Sequence, residues 1–225
     1  KHILSLYYPI ESVVPNITNT FNVYLRMENG TGTVGIGDCI ASISGQAMAA
    51  APAWDGKIEI EEKVIDYLNT EISNYLVKIN QLSLPIQDRK QLGAMFHVVN
   101  DIERIGDHAE NIADFAKTTM TANLKFSKKA QNELKEMYEK VIVLLRYSIS
   151  MFVSGDETHA NDILQLEDEI DKMEKKLQKK HIHRLANNKC EPHAAMIFTD
   201  LLSNLERVAD HGTNIAFAEQ DDEEL

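Results

Sequence analysis

From residue 58 onward apolar residues recur at three- and four-residue intervals, the period of a helix with one buried face. Ile60, Val64, Ile65, Leu68, Ile72, Leu76 and Ile79 keep that spacing and predict a helix from Ile58 to about Asn80. Ser83, Leu84 and Pro85 interrupt it, and Pro85 is placed to open a second helix that runs to about Met120. Ser127 has the chemistry of an N-cap for a third, Lys128 to Phe152, with Leu134, Met137, Val141, Leu144, Leu145 and Ile149 inward. Gly155 and Asp156 turn the chain. A fourth helix, about Thr158 to Leu185, carries the stripe Ile163, Leu166, Ile170, Met173 and Leu177; Glu191 and Pro192 start the last, which frays into the tail DDEEL.

Residues 1–56 read differently. They hold six of the ten glycines and three of the five prolines, which break every helical period early and predict loops, short strands or short helices. Cys39 to Trp54, rich in Ala, Ser and Met, fits a short helix up to Pro52. Gly30 to Gly35 spells G-T-G-T-V-G, and Asp55 stands twenty residues beyond, as in dinucleotide sites. Such a site needs strand, helix and second strand in succession. A long helical pattern follows here instead, so a flexible glycine loop is the better reading.

On the helices the polar positions are the more informative. Glu103 to Ala113 reads ERIGDHAENIA and returns 103 residues later as Glu206 to Ala216, ERVADHGTNIA, with seven of eleven positions identical. A duplicated packing helix should repeat mainly apolar residues. Here the repeat keeps Glu, Arg, Asp, His and Asn. Glu103, Asp107 and Asn111 lie at i, i+4 and i+8, drifting about 40° and rising about 6 Å per step, so they form one polar stripe, as do Glu206, Asp210 and Asn214. The first and fourth helices add Glu62 with Asp66 and Glu167 with Asp171, again E-x-x-x-D. With 35 acidic residues in 225, about five such pairs arise by chance, so the weight rests on the repetition.

An antiparallel hairpin sets sequential helices side by side. Glu62, Asp66, Glu103 and Asp107 should then converge, as should Glu167, Asp171, Glu206 and Asp210. Four carboxylates in a partly desolvated groove raise one another's pKa, and a divalent or trivalent cation resolves the conflict. All-oxygen ligands suit Mg, Ca, Mn or oxidised Fe, and ligand type does not choose among them. His108 and His211, about 100° off the stripe, could reach across to the site, and fit better roles in orienting a carboxylate or in packing. Asn111 and Asn214 could cap a cluster or bond between helices, and Arg104 and Arg207 could pair with carboxylates or hold an anion. His97, His159, His181, His183 and His193 have no repeated partner and suit surface or satisfied core positions.

Composition narrows the classes. A net charge of −12 disfavours nucleic acid, whose binding rests on Lys and Arg clusters. Cys39 and Cys190 are too few for a disulfide framework and form no C-x-x-C, which points to a reducing cytoplasm. No window has the roughly 18 apolar residues of a membrane span, the first residue is Lys, and an excised fragment, in preference to a processed chain, is expected. Di-iron oxygen chemistry needs Glu-x-x-His, but the i+3 positions are Ile65, Gly106, Ile170 and Ala209. No arrangement argues nucleophilic catalysis, and no enzyme is expected.

The two copies of the motif resemble the signature of PhoU domains, proteins of bacterial phosphate regulation built from two three-helix repeats. The flanks YLVKINQLSLP, FSKKAQNEL, HIHRLANNKC and FTDLLSNLERVADHGTNIA are similar to the cytoplasmic PhoU-like region fused behind the membrane part of sodium/phosphate cotransporter relatives. The resemblance implies an all-α protein with a Gly/Pro-rich segment 1–56, a linker or remodelled first helix, then PhoU-like repeats at 57–122 and 123–225. It implies multinuclear metal clusters on the eight E-x-x-x-D residues, iron foremost and Mn, Ni, Zn or Mg as alternatives. Expected partners are a transporter membrane domain or phosphate-signalling proteins at the cytoplasmic membrane face, with a homo-oligomer possible. Other readings are a metal-free helical scaffold and a carboxylate-metal hydrolase or oxidase. The first repeat departs from the pattern, since the glycine-rich stretch stands where a long helix belongs.

Overall fold

The computed structural model describes residues 57–187 and 190–218, with side chains from residue 63 onward. The expectations for residues 1–56, including the glycine loop and the Cys39 to Trp54 helix, lie outside the described residues, as does the acidic tail. Five α-helices follow one another: α1 (Lys57–Asn80), α2 (Ile86–Thr121), α3 (Lys128–Ser154), α4 (Ala160–Ala186) and α5 (Pro192–Phe217), with a single 3-10 turn (Glu157–His159) leading into α4. No strand occurs among the described residues. The fold is an all-α tandem helical bundle.

The helix ends follow local chemistry. Pro85 occupies the N-cap position of α2 with φ −54°, and its carbonyl accepts from the Arg89 amide at 3.1 Å. That helix ends with the Leu124 amide bonding back to the Thr119 carbonyl at 2.9 Å, closed by Asn123 at φ 50°, a left-handed conformation that Asn tolerates. The Ser127 hydroxyl accepts from the Ala130 amide and starts α3; Gly155, at φ 67°, stops it. Asp156 then caps the 3-10 turn through the Thr158 amide, so the fourth helix begins two residues later than the apolar pattern predicts. Pro192 sits in the first turn of α5.

Helix α5 is the hub. It packs against α2, α3 and α4, while α2 also packs against α1 and α3 against α4. Phe198, Leu201, Leu202, Leu205 and Val208 of α5 are fully buried, and Leu134, Met137, Val141, Leu144 and Leu145 of α3 meet them in the core. Each such side chain contributes about 1.5–3 kcal/mol relative to exposure. Gly212 lets the backbone of α5 come close to α3: a Cβ there would lie 2.7 Å from Leu145 and 2.9 Å from Leu144.

Helices α1 and α2 correspond to α4 and α5. Offsets of 105 and 103 residues place Ile65 on Ile170, Leu76 on His181, and Ile105 on Val208, all buried. The halves differ in their cover. Helix α3 lies over α4 and α5, whereas no described helix occupies the matching place over α1. Val64, expected inward, is exposed at 41%, and Leu68, Ile72 and Ile79 are only partly covered. A second departure concerns His181, expected at the surface or in a satisfied core. It is 4% exposed and stacks on Phe198 with ring centroids 4.5 Å apart, yet neither ring nitrogen has a partner within the protein. Burial pushes its pKa down, and the nearby Arg184 adds to that.

Two stability predictions follow from these contacts. Gly212→Ala overpacks two fully buried leucines and should cost about 1–3 kcal/mol, read as a lower denaturation midpoint. His181→Leu installs the residue found at the equivalent Leu76 and removes a buried group whose missing bonds cost about 1–3 kcal/mol. It should raise the midpoint, and a loss of several degrees would show that His181 has a partner.

Candidate metal centre

Apolar contacts bring the carboxylates together. Ile65 of α1 rests on α2 at Gly106, where a Cβ would lie 3.2 Å from the Ile65 Cδ1. The turn on either side carries Asp66 and the pair Glu103 and Asp107. Each of these three offers an oxygen within 4.8 Å of the others, with Glu103 partly buried and both aspartates exposed. Glu62, one turn before Asp66 on α1, has its side chain outside the described residues. Between α4 and α5 a second trio forms under the same limit from Asp171, Glu174 and Glu206, all partly buried. Oxygens bound to one hard cation at about 2.0–2.6 Å lie within about 5 Å of each other, so both trios match that chemistry in donor type and spread.

Glu167 and Asp210 lie outside the second trio but within reach of its charge. Burial, then Asp210 and Asp171, raises the pKa of Glu167; burial raises that of Asp210, with Asp171 and Glu174 adding and Arg207 opposing. The strongest effect falls on Glu206, which burial, Asp210 and Glu174 together push up to about 7. In the first half burial, Asp107 and Asp66 raise Glu103. Two cations offset the second cluster: Lys175, 2.6 Å from Asp171, and Arg207, 3.6 Å from Asp210 and 3.7 Å from Glu206. Arg104 is exposed and acts on Glu103 only through its charge.

The repeated histidines are placed between the halves. His108 Nδ1 donates to Asn204 Oδ1 at 2.9 Å, and His211 Nδ1 donates to Asp101 Oδ1 at 2.8 Å. The Asn204 amide nitrogen binds the Asp200 carbonyl, which fixes the oxygen toward His108. Asp101 and Asn204 are themselves 103 residues apart, so the two bonds are copies of one contact across α2 and α5. The rings stack with centroids 5.6 Å apart. Asn111 joins the clasp through Asn204 at 3.3 Å, while Asn214 is exposed.

Glu174, Asp101 and Asn204 are site residues that the duplicated sequence pattern does not mark. The first stands at i+3 from Asp171 and so on the same face, a spacing visible in the sequence. The repeat does not single it out, because position 69, its counterpart, is Asn.

The raised pKa of Glu206 sets a pH dependence. A carboxyl with a folded-state pKa near 7 and an ordinary value of 4.5 holds its proton more tightly when folded. Its stabilising contribution is complete below about 4.5 and is lost as pH rises through about 7. With chelator present the protein should melt at a higher temperature at pH 5 than at pH 8, and Glu206→Gln should flatten that slope and raise the pH 8 midpoint. Scanning calorimetry checks this; a midpoint that climbs with pH and ignores the substitution contradicts it.

A model of the PhoU domain matches residues 56–116 and 134–218. The phosphate-specific transport system accessory protein PhoU homolog 1 of Thermotoga maritima is 30% identical over 162 residues, 71% of this chain and 68% of that protein. YjbB of Escherichia coli K12, a protein named for inorganic phosphate export, is 22% identical over 199 residues, 85% of this chain and 37% of that protein. PhoU from Pseudomonas aeruginosa shares the fold with a TM-score of 0.77 at 17% identity, over 93% of this chain and 94% of that one. The chain belongs to the PhoU domain family, whose members are regulatory accessory proteins rather than enzymes.

Proposed function

We propose that this chain is a metal-binding regulatory domain that controls phosphate uptake or phosphate signalling, and that each half carries a carboxylate-bound cation centre. The observation that carries the reading is the occurrence of an acidic trio in both helix hairpins, α1 with α2 and α4 with α5. Asp66, Glu103 and Asp107, with Glu62, hold the first centre; Asp171 and Glu206, with Glu167 and Asp210, hold the second. The bound group is a multinuclear cluster, iron first, with Mn, Ni, Zn or Mg as alternatives, and it supplies the positive charge that these side chains lack. The centres lock each hairpin's geometry and so set the surface offered to a partner.

The phosphate assignment is supported by the relatives, which are named for phosphate transport or export. YjbB supports a further step. Most of this chain matches only 37% of that longer protein, which fits a PhoU-like module fused behind the membrane domain of a sodium/phosphate cotransporter-like protein and lying at the cytoplasmic face. None of the described helices is long and apolar enough to cross a membrane, so membrane proximity comes from a partner or a fused segment. The repeats run over 57–122 and 123–225.

A metal-free scaffold is the second reading, and one observation favours it: Lys175 and Arg207 already place positive charge beside the second cluster. Elemental analysis of protein purified without added metal separates the two. At least about one equivalent of a transition metal per chain is expected, and chelation should lower the melting temperature. A ligand present at a hundred times its Kd stabilises by about 2.7 kcal/mol, or roughly 5–10 °C for a domain of this size. Less than one equivalent, with no thermal shift on adding Fe, Mn, Ni or Mg, leaves the scaffold. In a host stripped of its own PhoU protein, the chain should alter phosphate accumulation, and the quadruple variant Asp66→Asn, Asp107→Asn, Glu206→Gln, Asp210→Asn should not.

A further inference from the structure

Charge is segregated along the length of α3 and α4. Residues 147–171, around the turn that joins them, hold seven acids and no Lys or Arg. Residues 117–129, from the last turns of α2 through the loop into α3, hold four lysines and no acid. The last turns of α4 add Lys179, Lys180 and Arg184. Contacts bring these basic stretches to one end of the molecule. Phe198 of α5 meets Phe126 of the α2–α3 loop at 6.1 Å between ring centroids and His181 of α4 at 4.5 Å, while Glu133 of α3 pairs with Lys180 at 3.3 Å and with Arg184 at 2.7 Å. Lys125, Lys128, Lys129 and Lys179 are exposed and form no ion pair among the described residues. Apolar side chains stand uncovered at the same end: Ile182 is 65% exposed, Met196 59% and Leu185 36%.

We propose that this end of the bundle docks on an anionic lipid bilayer, with its lysines against the headgroups and Ile182, Leu185 and Met196 in the interfacial layer. The contact is the chain's own and stands apart from the cation centres and the phosphate assignment. A net charge of −12 does not forbid it. The acids of the α3–α4 turn lie about 40 Å away, the length of a 27-residue helix, and the screening length at physiological salt is only about 8 Å. An anionic surface therefore reads the local charge. Glu133 is neutralised by Lys180 and Arg184, which leaves Glu191 as the one acid of residues 179–196. Each lysine close to such a surface strengthens binding by about fivefold, and clusters of about four to eight cations recognise acidic lipids. A nucleic acid or an acidic peptide would use the lysines alone, whereas a bilayer interface takes cations and aliphatic side chains together. Topology agrees. Ile65 of α1 rests on Gly106 of α2, and the two helices run antiparallel, so Lys57, eight residues earlier, lies about 12 Å nearer the C-terminal end of α2. The chain ahead of α1 joins from the side of the basic end, where a fused membrane segment would lead in.

The test is co-sedimentation of the whole chain with vesicles of phosphatidylcholine alone and of phosphatidylcholine and phosphatidylserine in equal parts. Binding is expected on the mixed vesicles only, and it should fall steeply as salt rises. Lys125→Gln, Lys128→Gln and Lys129→Gln together should weaken it by about a hundredfold without lowering the melting temperature. Lys78→Gln, Arg89→Gln and Arg146→Gln remove the same charge from other exposed positions and should leave binding nearly unchanged. Ile182→Ser with Met196→Ser should weaken binding to the mixed vesicles. No retention on those vesicles, or an equal loss from the two charge triples, would overturn the proposal. Binding to polyglutamate or single-stranded DNA that matches the vesicles and ignores the aliphatic pair would overturn it too, and would assign the patch to an acidic polymer instead.

Discussion

Carboxylates from neighbouring helices cannot all stay ionised in a partly dry groove near neutral pH unless positive charge sits beside them. That constraint is imposed here by hydrophobic packing. Ile65 and Ile170 are buried beside Asp66 and Asp171, and Ile105 and Val208 beside the Glu and Asp of the repeated motif. Each such burial stabilises by about 1.5–3 kcal/mol, whereas repulsion between two acids one turn apart on an isolated helix is about 0.2–0.5 kcal/mol. Packing wins, and the helices hold the acids together. Burial first, and the remaining repulsion after it, raise the carboxyl pKa values, furthest at Glu206.

The duplicated motif serves two directions at once. Its Glu and Asp face the partner helix within each half, and its His faces the other half. His108 and His211 stack across α2 and α5, each bonded to the counterpart of the other's acceptor, Asn204 for one and Asp101 for the other. Each histidine directly follows an aspartate of the repeated motif, so the two grooves are separated by two residues and one ring contact. The halves have also diverged. The second has gained cover from α3, a buried imidazole where the first has Leu76, and a fixed carboxylate where the first has Asn69.

Periodicity, with proline, glycine and serine marking the ends by local backbone chemistry, places the five described helices. The repeat also pointed to the acidic residues on adjacent helices, since i,i+4 spacing is a property of the helix itself. Other features depend on distance in space. The exposure of Val64 depends on what packs over α1, which its own helical period does not encode. Asp101 and Asn204 are unremarkable until the crossing of α2 and α5 puts histidines opposite them. Glu174 lies on the correct helix face by its spacing, but a repeat marks only what both halves share. His181 has an ordinary helical setting in sequence, and only packing against Phe198 shows it to be buried without partners.

Whether shared positive ions occupy these grooves is decided most directly by diffraction from crystals of the metal-loaded protein, with anomalous scattering collected on both sides of the iron, manganese, nickel and zinc edges. Peaks should lie between Asp66, Glu103 and Asp107 and between Asp171, Glu174 and Glu206, with Lys175 turned away from Asp171. Anomalous maps without a peak in either groove, with the carboxylates splayed into water and Lys175 and Arg207 still paired to them, would contradict it.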